Sequence, residues 1–188
     1  MRRPEWYVVQ VQTGREQQMC QVIERTCAEA DMLSDVDGSH LLQECFSPRY
    51  RTQHKFGGEW RDVEKSLLPG YVVAVTCQPD AVARCLRKTP DFTRLLVSGE
   101  TFVPLRDDER AWMEEFTRQG DRTIPMSFGY REGDSLVVTK GPLKGREGMV
   151  MRVNRKKSIA VVEIHINGKK VTTTVGLAIV AEGSGTDA

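Results

Sequence analysis

The chain has 188 residues, 39% hydrophobic and 28% charged, which suits one ordinary domain or two small ones, too apolar for a disordered chain and too polar for a membrane protein. Its 27 Lys and Arg against 26 Asp and Glu give a net charge of +1, which argues against a nucleic-acid binder only as a whole-chain average. Residues 1–128 carry 17 basic and 20 acidic side chains, whereas residues 129–188 carry 10 and 6, so two regions of opposite sign cancel.

Met1-Arg2-Arg3 is followed by no apolar stretch, so no secretory signal is expected. Trp6–Val11 is aromatic and β-branched and predicts a central strand. Thr13 stands three residues before Glu16, a capping-box spacing. Apolar residues at Met19, Cys20, Ile23, Cys27 and Ala30 then mark one face of a helix over residues 15–30. Asp31–His40 reads as a loop. Phe46–Phe56 and Glu59–Leu68 flank Gly57-Gly58, a hairpin turn, and arms so rich in charge predict a hairpin that projects into solvent.

Pro69-Gly70 precedes Tyr71–Thr76, a second buried strand. Pro79 opens a helix that Pro90 ends, Phe92–Val97 predicts a third strand, and Asp107-Asp108-Glu109 loads the start of a helix running to Arg118 with favourable negative charge. Gly120–Gly129 has no periodicity and reads as a linker. Beyond it the period is two: Ser135–Thr139, Gly148–Asn154, Ser158–Ile166, Lys169–Val175 and Leu177–Val180 predict five short strands, with Asn167-Gly168 a strong hairpin signal. Five such strands suggest a small closed barrel.

The chemistry of the residues points away from catalysis. Five cysteines form no Cys-x-x-Cys pair, and three histidines lie at no zinc-ligand spacing from them. Cys45 with His54, and His165 with Glu163, are the pairings available to an enzyme, and nothing brings either into a pocket. The chain reads as a reduced, cytoplasmic, cofactor-free and metal-free protein, without membrane contact, and a monomer. The basic second region is the informative one. Lys140, Lys144, Arg146, Arg152, Arg155, Lys156, Lys157, Lys169 and Lys170 share their span with two acids, Glu147 and Glu163. A solvated face kept for solubility would account for a basic run, but one sign on so small a domain is a phosphate-binding footprint. Arg49, Arg51 and Lys55 of the first hairpin offer a second contact. With few aromatics in the barrel, a stem recognised by shape and phosphates fits better than a stacked single strand.

Two stretches resemble a known family. Glu132-Gly133-Asp134, Val137-Val138 and Gly141-Pro142-Leu143-Lys144-Gly145-Arg146-Glu147-Gly148-Met149-Val150 resemble a KOW motif, an RNA- and protein-binding element. Its Gly141-Pro142 suits a tight turn, and Gly148 suits a backbone that a side chain would obstruct. Trp6-Tyr7-Val8-Val9, Leu68-Pro69-Gly70-Tyr71-Val72 and Thr89-Pro90-Asp91-Phe92 resemble the N-terminal domain of NusG transcription factors. The resemblance implies an α+β chain: an N-terminal α/β sandwich with an antiparallel sheet over residues 1–119, a linker at 120–129, a five-stranded SH3-like KOW barrel over 130–182, and a tail at 183–188.

It further implies docking on the clamp helices of RNA polymerase through Leu68, Tyr71, Val73 and Leu95, although Val73 and Leu95 would serve core packing equally well. Leu143, where the housekeeping group carries Phe, the ending Val175–Val180 and the basic Arg152–Lys157 segment resemble the specialised antitermination paralogs called LoaP, which implies a leader RNA hairpin as partner. Housekeeping NusG engaging Rho and a ribosomal protein, and a KOW-type ribosome-associated RNA-binding protein, stay open as alternatives. Arg15, Gln17, Gln18 and Gln21 would face nontemplate DNA, as the first helix does in some members.

Overall fold

The computed structural model describes residues 3–33, 40–88, 94–95, 97–98 and 101–180. In chain order these form β1 (Glu5–Gln10), α1 (Glu16–Leu33), β2 (Glu44–Phe46), β3 (Arg49–Phe56), β4 (Glu59–Ser66), β5 (Tyr71–Thr76), α2 (Pro79–Leu86), β6 (Arg94–Leu95), β7 (Val97–Ser98), β8 (Thr101–Phe102), α3 (Asp107–Phe116), β9 (Thr123–Ile124), β10 (Ser127–Glu132), β11 (Ser135–Lys140), β12 (Val150–Asn154), β13 (Ile159–Ile166) and β14 (Lys169–Ile179). They fall into two compact bodies, Met1–Pro48 with Leu68–Ala111, and Arg49–Leu67 with Trp112–Ala188.

In the first body, β1 lies between β5 and β6 in a sheet of order β2-β5-β1-β6. Period-two alternation sends Tyr7, Val9, Val72 and Ala74 to one face, where they pack with Met19, Cys20, Ile23 and Cys27 of α1 and Val82, Cys85 and Leu86 of α2. Each fully buried aliphatic side chain here contributes about 1.5–3 kcal/mol relative to exposure. Trp6, Val8, Phe46, Val73 and Val75 are buried too, with Trp6 and Phe46 in an edge-to-face ring pair at 5.0 Å, so β1 and β5 are apolar on both sides. The helical stripe of α1 is as the spacing predicts, and its two cysteines lie in this core with Cys45 and Cys85, all as thiols. The motif Thr89–Phe92 lies outside the described residues.

At α3 the acidic first turn forms as expected, and Arg110, itself buried, is held by Asp107 at 2.6 Å and Glu5 at 3.2 Å. The helix ends at Phe116 rather than Arg118.

The second body departs further from expectation. Its main sheet has the order β11-β10-β14-β13-β12. It is an open, curled half-barrel, not a closed barrel. The outer edge of β11 is met not by β12 but by a side chain: the Val138 amide donates to Glu147 Oε1 at 3.2 Å. The 3-10 turn Glu147–Met149 lies in the connection between β11 and β12. The fifth strand is not Leu177–Val180, which simply continues β14, but β10, which begins inside the segment expected to be a bare linker. Ser127, Phe128 and Gly129 pair in parallel with Leu177, Ala178 and Ile179, and Thr123-Ile124 pairs with Arg49-Tyr50.

The β3–β4 hairpin turns through Gly57 and Gly58, both at positive φ, but only its outer half stands in solvent. At its base, Tyr50, Thr52 and Leu67 are buried. Thr174 Oγ1 donates to Tyr50 Oη at 2.8 Å, Thr52 Oγ1 to the Ser158 carbonyl at 2.7 Å, and Thr173 Oγ1 to the Leu67 carbonyl. Alternating polar and apolar residues in the proximal arm therefore served a packed face, a pattern that the charge density obscured.

Candidate nucleic-acid interface

The Leu68–Tyr71 segment is a tight turn closed by the Tyr71 amide on the Leu68 carbonyl at 3.0 Å. Gly70 sits at φ +83, and a Cβ there would stand 2.8 Å from Thr13 Oγ1, so two independent constraints demand glycine. The Glu16 carboxylate fixes this turn. Instead of completing a capping box with Thr13, its Oε1 accepts the amides of Gly70 at 2.7 Å and Gly14 at 3.0 Å. Burial alone would raise the Glu16 pKa, but the amides of Gly70, Gly14 and Glu16 itself outweigh it and hold the carboxyl below its usual range.

Of the four residues expected at a polymerase-docking surface, Leu68 is 3% exposed and Val73 0%, whereas Tyr71 is part-exposed. Leu95 pairs with Val9 in β6, and its side chain lies outside the described residues. On α1, Gln17, Gln18 and Gln21 are exposed, and the Arg15 guanidinium is hydrogen-bonded to Gln18 and Gln12.

The basic residues divide by position and by partner. Register places Lys140 opposite Phe128, Ser127 opposite Leu177, and Gly176 opposite Ile159. Lys140, Lys144 and the 3-10 turn Arg155–Lys157 therefore share one end of the sheet. That turn is capped by Asn154, whose side chain accepts the Lys157 amide at 3.1 Å, while Ser158 takes the left-handed conformation that ends it. Lys169 and Lys170 lie at the far end of β13, beyond the Asn167-Gly168 turn, whose two positive φ angles match the hairpin expectation.

Several of the cations are already neutralised. Arg146 bonds Glu115 at 2.6 Å and lies over the Phe116 ring, Lys170 pairs with Glu163 at 2.8 Å, and Arg49 and Arg51 share the Glu64 carboxylate at 3.5 and 3.1 Å. Lys140, Lys144, Arg152, Arg155, Lys156, Lys157 and Lys169 are exposed, and none is in an ion pair among the described residues.

Glycine roles in the turn differ from expectation as well. A Cβ on Gly148 would meet open space, whereas one on Gly141, at φ +97, would stand 2.6 Å from Ser127 Cα. Gly141 is the position that needs glycine. Below it Leu143 is fully buried, and its amide is accepted by Ser127 Oγ at 3.1 Å. The Glu147 carboxyl is held below its usual range by its own amide and, against a smaller burial effect, by those of Val138 and Gly145. Among the described residues no three His, Cys, Asp or Glu side chains form a metal-binding group, and no helix is long and apolar enough to cross a membrane.

One feature of the second body escapes sequence reasoning. Phe56 and Trp60, at the tip of the β3–β4 hairpin, are 51% and 50% exposed. Their place next to a Gly-Gly turn was the available signal.

An α/β sandwich and an open five-stranded sheet that carries the Gly141–Gly148 turn define a two-part chain, and each part matches a known family model. The family model described as transcription termination factor nusG matches residues 4–114, and the KOW motif matches residues 132–166. The chain belongs to the NusG family, non-catalytic transcription elongation and antitermination factors with polymerase-binding and RNA- or ribosome-binding domains.

It is 26% identical over 180 residues to the transcription termination/antitermination protein NusG of Yersinia pestis, covering 95% of this chain and 96% of that one. To the protein of the same name from Thermus thermophilus it is 27% identical over 177 residues, covering 88% and 91%. A solved structure described as "Domain interaction in Thermotoga maritima NusG" shares the fold at a TM-score of 0.53 with 17% identity, covering 92% and 93%.

Proposed function

We infer that this chain is a specialised antitermination factor of the LoaP type, tethered to the polymerase clamp helices through a surface centred on Tyr71 and recruited by a leader RNA hairpin held on the basic end of the KOW sheet. The observation that carries this reading is the group formed by Lys140, Lys144, Arg155, Lys156 and Lys157 at one end of that sheet, exposed and without ion pairs among the described residues. Such a surface gains affinity by releasing counterions from phosphates, and the shape of a stem rather than its base edges would select the ligand. Arg152, Lys169 and Lys55 extend the positive field. Arg49, Arg51, Arg146 and Lys170, each paired with a carboxylate, contribute less. Holding polymerase and nascent RNA at once turns a modest RNA affinity into a high effective concentration.

Readthrough by purified polymerase on templates with and without a leader hairpin tests the reading. Hairpin-dependent readthrough that disappears when Arg155, Lys156 and Lys157 are replaced by Ala is the expected result. Equal readthrough without any hairpin would replace it with the general elongation role, and copurification with ribosomes but not with polymerase would identify a translational RNA-binding protein.

A further inference from the structure

The exposed aromatic tip of the β3–β4 hairpin has no part in the surfaces described so far. Residues opposed across an antiparallel ribbon share a face. Lys55 is opposed to Trp60, His54 to Arg61, and Phe56 to Glu59. Trp60 and Lys55 therefore lie on one face, and Phe56, His54, Glu59 and Arg61 on the other. On the second face His54 stacks on Phe56 with ring centroids 6.2 Å apart, and Lys65 Nζ donates to His54 Nε2 at 2.8 Å. Trp60 thus has Lys55 beside it, whereas on the Phe56 face Glu59 pairs with Arg61 at 3.6 Å and leaves Lys65 as the available cation; both rings are about half exposed.

The two rings face opposite ways, so they do not make the continuous apolar patch that anchors a protein partner. A flat π-face beside a cation instead matches a nucleobase and its phosphate. Bases inside a duplex are covered by their neighbours, so the matching ligand is unpaired.

We propose that the Trp60 and Phe56 rings at this tip are stacking platforms for unpaired nucleotides, with Lys55 on one face and Lys65 on the other taking the flanking phosphates. The proposal deepens the RNA-binding reading and rests on it for the biological strand. The hairpin is anchored at Thr52 to the Ser158 carbonyl, directly beside the Arg155–Lys157 turn. The tip lies four residues further on, about 13 Å at ~3.3 Å per residue. A stem on the basic turn would leave its unpaired nucleotides within reach of the rings.

The full-length chain is titrated with a short unstructured RNA, a DNA of the same sequence and the corresponding duplex, with tryptophan emission and oligonucleotide anisotropy as readouts. Trp6 and Trp112 are buried, so quenching by a stacked base reports Trp60. Trp60→Ala is expected to remove the quench and weaken single-strand binding on the order of tenfold, Trp60→Phe to restore most of the affinity, and duplex binding to stay unchanged. A preference for RNA would identify the transcript as the ligand, and a preference for DNA a displaced DNA strand.

Wild-type single-strand affinity in both Trp60→Ala and Phe56→Ala would overturn the proposal. So would a loss confined to polymerase association, which would make the tip a protein contact. The two readings separate in the Arg155, Lys156 and Lys157 to Ala variant. If it keeps hairpin affinity while Trp60→Ala loses the single strand, the stem reading fails and the stacking platform stands; if the pattern is reversed, the stem reading stands and the platform fails.

Discussion

The carboxylate of Glu16 accepts the amide of Gly70 at 2.7 Å, across 54 residues of chain, and so ties the start of α1 to the turn that presents Tyr71. The same oxygen accepts the Gly14 amide. One buried side chain therefore satisfies two glycine amides and sets the geometry of the segment proposed to dock on polymerase.

Removing that acceptor leaves amides unsatisfied. Glu16→Ala is expected to lower stability by about 1–3 kcal/mol, read from the urea midpoint. Gly70→Ala, forced to adopt φ +83 against Thr13 Oγ1, is expected to cost about 1–3 kcal/mol through strain alone. An unchanged midpoint in both variants would remove the turn from the stabilising elements.

The pH dependence follows from the same contact. The folded-state pKa of Glu16 and that of Glu147 both lie below the ordinary value of 4.5. Their contribution is therefore intact above pH 4.5 and is lost as the pH falls through the lowered folded values. Thermal melts between pH 7 and pH 3 should show the midpoint falling over that window, and Glu16→Gln should flatten the fall. A melting temperature independent of pH there would contradict it.

Tyr71 and Val73 separate contact from core. Tyr71→Ala should abolish polymerase association with an unchanged circular-dichroism spectrum. Val73→Ala, at a fully buried position, should instead cost about 1–3 kcal/mol as a core cavity, with association retained by the folded fraction. Polymerase binding by a well-folded Tyr71→Ala variant would refute the assignment.

The basic residues should not be equivalent toward RNA. Replacing Arg155, Lys156 and Lys157 by Ala should reduce the slope of log affinity against log salt by roughly 2–3. Arg146→Ala should change the slope little, because its guanidinium already serves Glu115. Filter binding at several salt concentrations distinguishes the two, and equal slopes would show that the Arg146 pair opens on binding.

The cysteines should react with a thiol reagent in two classes. Burial, with Cys85 alongside, pushes the Cys27 thiol up to about 12, and the Cys20 thiol and burial push Cys45 well above its ordinary value. Cys20 and Cys85 are buried with them, and Cys77 is part-exposed. A thiol reagent should modify Cys77 in the native protein and the other four only on unfolding; rapid modification of all five would show an open core.

Local chemistry was legible in the residues themselves. The segregation of charge, the stripe of α1, the acidic start of α3 and the Gly57-Gly58 and Asn167-Gly168 turns depend on neighbours within a few positions, and each was readable without a structure. The motifs at Leu68–Tyr71 and Gly141–Gly148 carried the family. What tertiary structure decided is which groups meet across long stretches of chain. Glu16 turned to Gly70 instead of Thr13, and Glu147 took the Val138 amide at the edge of an open sheet. Glu64 and Glu115 neutralised Arg49, Arg51 and Arg146, separating paired from unpaired cations within a run that looked uniform. The base of a highly charged hairpin became a buried contact, while its two aromatics were left in solvent. Charge and turn propensity belong to the residue and its neighbours, but burial and pairing belong to the fold, and the free cations and exposed rings were settled there.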